Sequence, residues 1–294
     1  MELRKLPAIA VLSDNVTVIE KEGIQIVRVI HDKAEAGISL HGGHVLWFKP
    51  AGQEDVIWLS EKAEFNTAKA FRGGIPVCWP WFGTIASPSH GFARTSQWYI
   101  VEHRETEDGV IVCLGLEENE ESLAIWPNAF EARLYVEVSE KLKVTLDVTN
   151  TDDKEWKFSG ALHTYLNIAD VRESVTTGMG GEFVDKLQDG QVTQGGSELQ
   201  LTDTVDRVYT QPEAVIEVSD PKYSRTITVT NNGHNSAVIW NPWEAGAKAM
   251  GDMADNGYET MLCVESTWNA DSLEEGKALQ PGDSHQLVTE IAVK

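Results

Sequence analysis

Apolar and polar residues alternate along much of this chain with a period of two. In Leu142-Lys-Val-Thr-Leu-Asp-Val148 the even positions are apolar and the odd ones polar, the pattern of a strand buried on one face. Thr226-Ile-Thr-Val-Thr230 repeats it, with two apolar residues facing one way and three threonines the other. Residues 24–30, 110–116, 134–138 and 215–218 are further strand-like runs. Turn signals separate them at Glu107-Asp-Gly109, Asn150-Thr-Asp-Asp153, Asp189-Gly190, Asn231-Asn-Gly233 and Pro281-Gly-Asp283. Many short strands at this spacing predict an all-β chain, an antiparallel β-sandwich or barrel rather than a parallel α/β sheet. Helical periodicity is scarce, and residues 117–126 read as one short acidic helix stopped by Pro127. Gly195-Gly196 marks a loop without dividing the chain. With no repeat, low-complexity stretch or flexible linker, residues 1–294 read as a single domain.

Composition narrows the picture. With 41% hydrophobic residues the chain can bury a sizeable core without disulfides or metals. It carries 24 basic against 46 acidic residues, a net charge of −22. That balance argues against nucleic acid or an anionic membrane as partner, since both call for clustered Lys and Arg. Cys78, Cys113 and Cys263 are widely spaced and form no CxxC pair, which argues against a disulfide framework or a thiolate zinc site and fits a reducing cytoplasm. The N-terminal stretch, interrupted by Pro7, lacks a signal-peptide core, so the Asn15-Val16-Thr17 glycosylation triplet reads as chance. No apolar run approaches the ~18–20 residues that span a bilayer. Nor does an apolar stripe mark an obligate partner, so a monomer is expected.

Against the acidic background, the segment Phe71–Arg94, FRGGIPVCWPWFGTIASPSHGFAR, sets Arg72, His90 and Arg94 among Gly, Pro, Trp and Phe. Arg donates two hydrogen bonds in a planar fork to one phosphate or carboxylate, and flanking aromatics exclude water and offer flat surfaces to a sugar ring. The segment therefore reads as a pocket for one small anion, or as a tight loop whose arginines pair with surface carboxylates. Three other places concentrate reactive side chains. His163 lies in Ser159-Gly-Ala-Leu-His-Thr-Tyr-Leu-Asn167, where it is a catalytic candidate or a satisfied core histidine. Asp206 stands beside Arg207, which is equally a structural ion-pair partner. Glu265 ends the apolar run Met261-Leu-Cys-Val, where desolvation raises a carboxyl pKa toward the range of a base at neutral pH. The alternative for Glu265 is a strand-end carboxylate bonded to a backbone N–H. His41-Gly-Gly-His44 has two imidazoles but no completing ligand nearby, so a turn with a buried His44 is preferred to a metal site. Gly73-Gly74 lacks the Walker spacing, and no GxSxG is present. What remains is acid–base work on a small anionic ligand, with no cofactor and no metal.

These residues also carry a resemblance. FRGGIPVCWPWFG, HGFAR, ALHTYLN, DRVY, WNP, MGDM and CVES follow one another in the order of the glucose-6-phosphate 1-epimerases, the hexose-6-phosphate mutarotases related to galactose mutarotase and aldose 1-epimerase. The resemblance runs from about Gly37 to near the C-terminus, and several strings are long and compositionally unusual. It implies one large antiparallel sandwich of the galactose mutarotase-like supersandwich type, with its site in a cleft on one concave sheet. It implies His163 as the general acid at the sugar ring oxygen and Glu265 as the general base at the C1 hydroxyl. His90 would hold the substrate near its ring oxygen and C1, Asp206 would bind sugar hydroxyls, and Arg72 and Arg94 would hold the phosphate. The sequence departs from the family pattern at none of these six positions. Two alternatives stay open, an aldose 1-epimerase acting on unphosphorylated sugars and a phosphosugar-binding module without catalysis. Arg72 and Arg94 speak against the first, and retention of both His163 and Glu265 against the second.

Overall fold

A computed structural model describes residues 3–294. The chain folds almost entirely into antiparallel strands, as the period-two pattern predicts. Five strands, Ala8–Val11, Val16–Lys21, Ile24–His31, Ala34–Ser39 and His44–Pro50, form an N-terminal meander. A nine-stranded sheet is centred on Arg225–Asn232, Ser284–Val293, Leu142–Asn150 and Phe130–Val138. An eight-stranded sheet contains Val205–Tyr209, Ser236–Asn241, Met261–Trp268 and Gly160–Leu162, with Val77–Cys78 at its edge and Tyr165–Asn167 paired beside it.

Both larger sheets contribute to one buried cluster. Leu142, Val144, Leu146 and Val148 point into it from the nine-stranded sheet, as do Ile227 and Val229. Ala237, Ile239, Leu262 and Val264 meet them from the eight-stranded sheet. The hydroxyl of Ser266 donates across to the carbonyl of Val288 at 3.0 Å. The N-terminal meander is covered on both faces. Val27, Val29, Ile38 and Phe48 join the same cluster, whereas Ile19, Ile26, Leu46 and Trp47 pack against Phe71.

One buried ion pair joins all three sheets. Asp220 and Arg225 are cross-strand partners in the hairpin of the nine-stranded sheet, and Arg225 Nε donates to Asp220 Oδ2 at 3.0 Å. The same guanidinium donates to the carbonyls of Glu54 and Asp55, just beyond the meander, and of Asn167, beside the eight-stranded sheet. Asp220 Oδ1 accepts from the N–H of Ala169. Each of the three guanidinium nitrogens and both carboxylate oxygens therefore has a protein partner in a nearly waterless position.

The expected acidic helix is shorter than residues 117–126. Glu117 still pairs with Glu131 in the sheet, and the helix occupies Glu120–Ile125. Asn119 caps it, its side chain accepting from Ser122 N while the Ser122 hydroxyl accepts from Asn119 N. Ladder bonds and a capping box thus override the acidic run at its start. A second helix, Trp243–Ala249, carries no strong sequence signal of its own. Among the described residues no helix is long and apolar enough to cross a membrane, and all three cysteines are buried and unpaired.

Arg225→Met should lower unfolding stability by roughly 3–5 kcal/mol, because it leaves Asp220 buried and three carbonyls without their donor. Urea denaturation measures this, and a loss below about 1 kcal/mol would refute the role assigned to the pair.

Candidate active site

Strand alternation places the site. Along Met261–Trp268, Leu262 and Val264 face the core, so Cys263 and Glu265 face the opposite side of the eight-stranded sheet. The register then carries that side across four strands. Leu162 pairs with Ser266 and Tyr165 with Cys263, which puts His163 directly opposite Glu265. On the other flank Val238 pairs with Glu265, Trp240 with Cys263, and Asp206 with Trp240. His163, Glu265 and Val238 form one row, and Tyr165, Cys263, Trp240 and Asp206 the next. His163 spends its own N–H on the carbonyl of Pro76 at 3.0 Å, tying the row to the segment that follows Arg72.

That segment closes the other side. Trp79 is fully buried, with Phe130 at 4.6 Å and Trp126 at 5.4 Å between ring centroids. Gly91 packs against it with φ +71°, where a Cβ would collide with the carbonyl of Trp79. The N–H of His90 donates to Gly83 O at 2.7 Å, and Arg94 donates to Ser89 O at 2.8 Å, so the loop folds back on itself. The result is a cavity of about 370 Å³ whose lining includes Arg72, His90, Arg94, His163, Asp206 and Glu265, with Phe82, Tyr165 and Trp240 between them. All six residues singled out in the sequence meet there, although almost 200 positions separate the first from the last.

The electrostatics follow from burial. Glu265 is 1% exposed, and burial, reinforced by the charge of Asp206, pushes its carboxyl pKa well above the usual range. His163 is pushed well below the usual imidazole value by burial first, then by His90, Arg72 and Arg94. His163 Nδ1 stands 3.5 Å from Glu265 Oε1, within electrostatic reach but too far for a good hydrogen bond. Burial thus favours the neutral form of each group. Among the described residues neither His163 Nδ1 nor Glu265 Oε2 has a hydrogen-bond partner. His163 lies flat on Tyr165, ring centroids 4.9 Å apart and 11° from parallel, with Trp240 edge-on at 6.2 Å. His90 is held down to about 4 by burial, then by Arg94 and Arg72. Its Nδ1 accepts from Gly83 N–H, which leaves the neutral ring with its proton on Nε2, a donor for a ligand oxygen. The Asp206 carboxyl is raised by burial and by Asp185, with Lys186 opposing.

Residues that the sequence left without a role hold Arg72 in place. Arg72 Nε donates to Asp252 Oδ1 at 3.1 Å, and Nη1 donates to the Tyr165 hydroxyl at 3.1 Å. Asp252 stands in the MGDM string and Tyr165 in ALHTYLN, so the strings were visible while the contacts were not. His41 and His44 both turn to backbone carbonyls. Their Nε2 atoms bond the carbonyls of Lys69 and Gly73, each at 2.7 Å, and both rings meet Phe71 edge-on at 5.5 and 5.3 Å. The pair thereby clamps the backbone on either side of Arg72. Gly74, at φ +72°, completes the clamp, because a Cβ there would strike the His44 ring and Val45 O. Arg207 lies over the ring of Phe183 at 4.2 Å, a packing contact on the core side.

Comparison with known proteins agrees with this architecture. The aldose 1-epimerase family matches residues 25–292. A protein of Salmonella typhimurium provisionally named glucose-6-phosphate 1-epimerase is 36% identical over 269 residues, 90% of each chain. Its Escherichia coli counterpart, with the same provisional name, is 35% identical over 91% of each. A crystal structure described as a provisional mutarotase from Salmonella typhimurium superposes with a TM-score of 0.92 at 33% identity, covering 98% of this chain and 96% of the other.

The buried His44 ring is pushed down to about 3, with burial the dominant cause. A folded-state value below the ordinary one means that the unfolded chain binds the proton more readily. His44 thus contributes stability that is present above about pH 6.5 and is lost as pH falls toward 3. His44→Gln, which keeps a donor for Gly73 O, should lose less thermal stability than the parent between about pH 7 and pH 4. Identical losses in the two proteins would rule out His44 as a titrating clamp.

Proposed function

This chain belongs to the aldose 1-epimerase family, and we propose that within it the protein interconverts the α and β anomers of glucose 6-phosphate, the whole chain acting as one domain. The observation that carries the reading is the meeting, in one cavity, of an opposed His163–Glu265 pair and two arginines. A volume of about 370 Å³ suits a ligand the size of one phosphosugar. The provisional names of the 35–36% identical relatives point to the same substrate. Arg72 and Arg94 would bind the phosphate, and Asp206 the sugar hydroxyls. His90 would donate from Nε2 near the ring oxygen and C1.

Ring opening needs one proton given and one taken. The imidazolium of His163 gives its proton to the ring oxygen as the C1–O5 bond breaks. The Glu265 carboxylate takes the proton of the C1 hydroxyl, leaving an aldehyde. Rotation about C1–C2 presents the other face of the carbonyl, and reclosure returns both protons. The neutral resting pair holds the same number of protons as imidazolium plus carboxylate, so it becomes competent by moving one proton from Glu265 to His163. Arg72 and Arg94 oppose that move while no phosphate is bound, since both hold the His163 pKa down. A bound phosphate dianion cancels their charge and favours the imidazolium. The phosphate would then contribute to turnover as well as affinity, which a neutral aldose cannot do.

Exchange NMR between the anomers at neutral pH tests the reading. The protein should speed exchange of glucose 6-phosphate well beyond that of glucose. Equal acceleration of both sugars would remove the phosphate from the reading, and none with either would favour a binding module. Glu265→Gln and His163→Ala should each lower kcat by about 10²–10⁴-fold while phosphosugar binding persists. Replacing Arg72 or Arg94 by Gln should mainly raise KM, and Asp252→Asn should do so more mildly because it only orients Arg72. Full activity in Glu265→Gln would rule out that residue as the base.

A further inference from the structure

Cys263 is a chemically reactive side chain beside the acid–base pair that ring opening leaves unused. It sits two residues before Glu265 on the same face of the strand and lies behind the cavity lining, fully buried. One donor atom each from His163, Cys263 and Glu265 lies within 4.8 Å of the other two. We propose that these three residues form an inhibitory site for a thiophilic divalent cation, Zn²⁺ by the chemistry of its ligands, which shuts off the acid–base pair when it binds. The binding site itself stands on geometry; only its inhibitory consequence rests on the epimerase reading.

The spacing suits such an ion. His163 Nδ1 and Glu265 Oε1 are 3.5 Å apart. Nitrogen and oxygen bound to one tetrahedral zinc at ~2.0–2.1 Å stand about 3.3 Å apart. The same distance makes a poor hydrogen bond, and His163 Nδ1 and Glu265 Oε2 are both buried without a partner among the described residues. Glu265, whose side chain is 1% exposed, thus presents a lone pair in a nearly dry position with nothing else to receive it. A sulfur, an imidazole nitrogen and a carboxylate oxygen select zinc over magnesium or calcium, which prefer all-oxygen shells. Three protein ligands leave a fourth tetrahedral position for water on the open side.

Burial currently keeps the Cys263 thiol protonated, with its pKa well above the usual value and the charge of Glu265 adding to the effect. A dication reverses both influences and takes the thiolate. The balance is simple. Zinc displaces the thiol proton and the proton held by the His163–Glu265 pair, and both leave to buffer. No electron moves. The ion then occupies the lone pairs with which His163 and Glu265 would move protons, so inhibition competes with the sugar.

The test uses the full chain, freed of metal with a chelator that is then removed. Titration with Co²⁺ should give a thiolate-to-cobalt charge-transfer band in the near ultraviolet, which Zn²⁺ abolishes and glucose 6-phosphate reduces. Zn²⁺ should inhibit anomer exchange with proton release on binding. Cys263→Ala should exchange anomers at the parent rate without metal, lack the band, and tolerate Zn²⁺ at more than about tenfold higher concentration, a direct ligand being worth at least as much as an outer-shell one. Cys263→Ser provides the same comparison if the alanine variant folds poorly. A parent protein with no charge-transfer band, or variants as zinc-sensitive as the parent, would overturn the proposal. A metal band in a protein that accelerates neither sugar would instead sink the epimerase reading and leave the metal site standing.

Discussion

The constraint on which the rest depends is the strict alternation of sides along Met261–Trp268. The strand has to give Leu262 and Val264 to the core while giving Cys263 and Glu265 to the cleft. A slip of one residue would exchange Val264 for Glu265 and bury a carboxyl between the two large sheets. Register is held from both flanks, by Gly160–Leu162 and Tyr165–Asn167 on one side and Ser236–Asn241 on the other. Because the pairing is antiparallel, the same register that protects the core also sets His163 opposite Glu265. Stability and the geometry of the proposed acid–base pair are fixed here by one set of ladder bonds.

Electrostatics work against the average field of the molecule. A chain with net charge −22 repels phosphate at a distance, and the attraction is confined to Arg72 and Arg94 at the cavity wall. Their placement is therefore exacting, and much of the structure around residue 72 serves it. Asp252 and the Tyr165 hydroxyl fix the guanidinium, while His41, His44 and Gly74 fix the backbone. Tyr165 also underlies His163, so one aromatic side chain touches both the arginine proposed to bind phosphate and the proposed acid. That contact gives a short physical route by which a ligand at Arg72 is felt at His163.

The sequence was legible where a pattern is local. Period-two alternation predicted the strands at 24–30, 142–148 and 226–230, and each runs within one or two residues of its observed limits. Residue chemistry in compact strings singled out all six cavity residues, because Arg72, His90, Arg94, His163, Asp206 and Glu265 each stand in an unusual local context. Illegible was anything that depends on who sits opposite whom. Asp252 becomes a partner of Arg72 only through a contact across 180 positions, and Cys263 becomes a neighbour of His163 only through the register of two strands. The short helix illustrates the same limit at smaller scale. An acidic run predicted its existence, but ladder bonds to Glu131 and the Asn119 cap decided where it began.

The dryness that serves the acid–base pair also has a consequence for selectivity. Burial lifts the Glu265 pKa and lowers that of His163, so each group is held toward its neutral form, and neither His163 Nδ1 nor Glu265 Oε2 has a competing partner among the described residues. Two unpartnered lone pairs beside a thiol are also a good ligand set for a soft dication. A site built from hydrogen-bonded, solvated groups would be less open to such ions, but its carboxyl and imidazole would return toward their ordinary pKa values. Replacing Cys263 alone would relieve the conflict, since nothing in ring opening uses its sulfur. Its retention beside the pair therefore means either that packing under Tyr165 requires a small apolar group there or that sensitivity to metal is itself of use, and a variant that packs as well but lacks the sulfur separates the two.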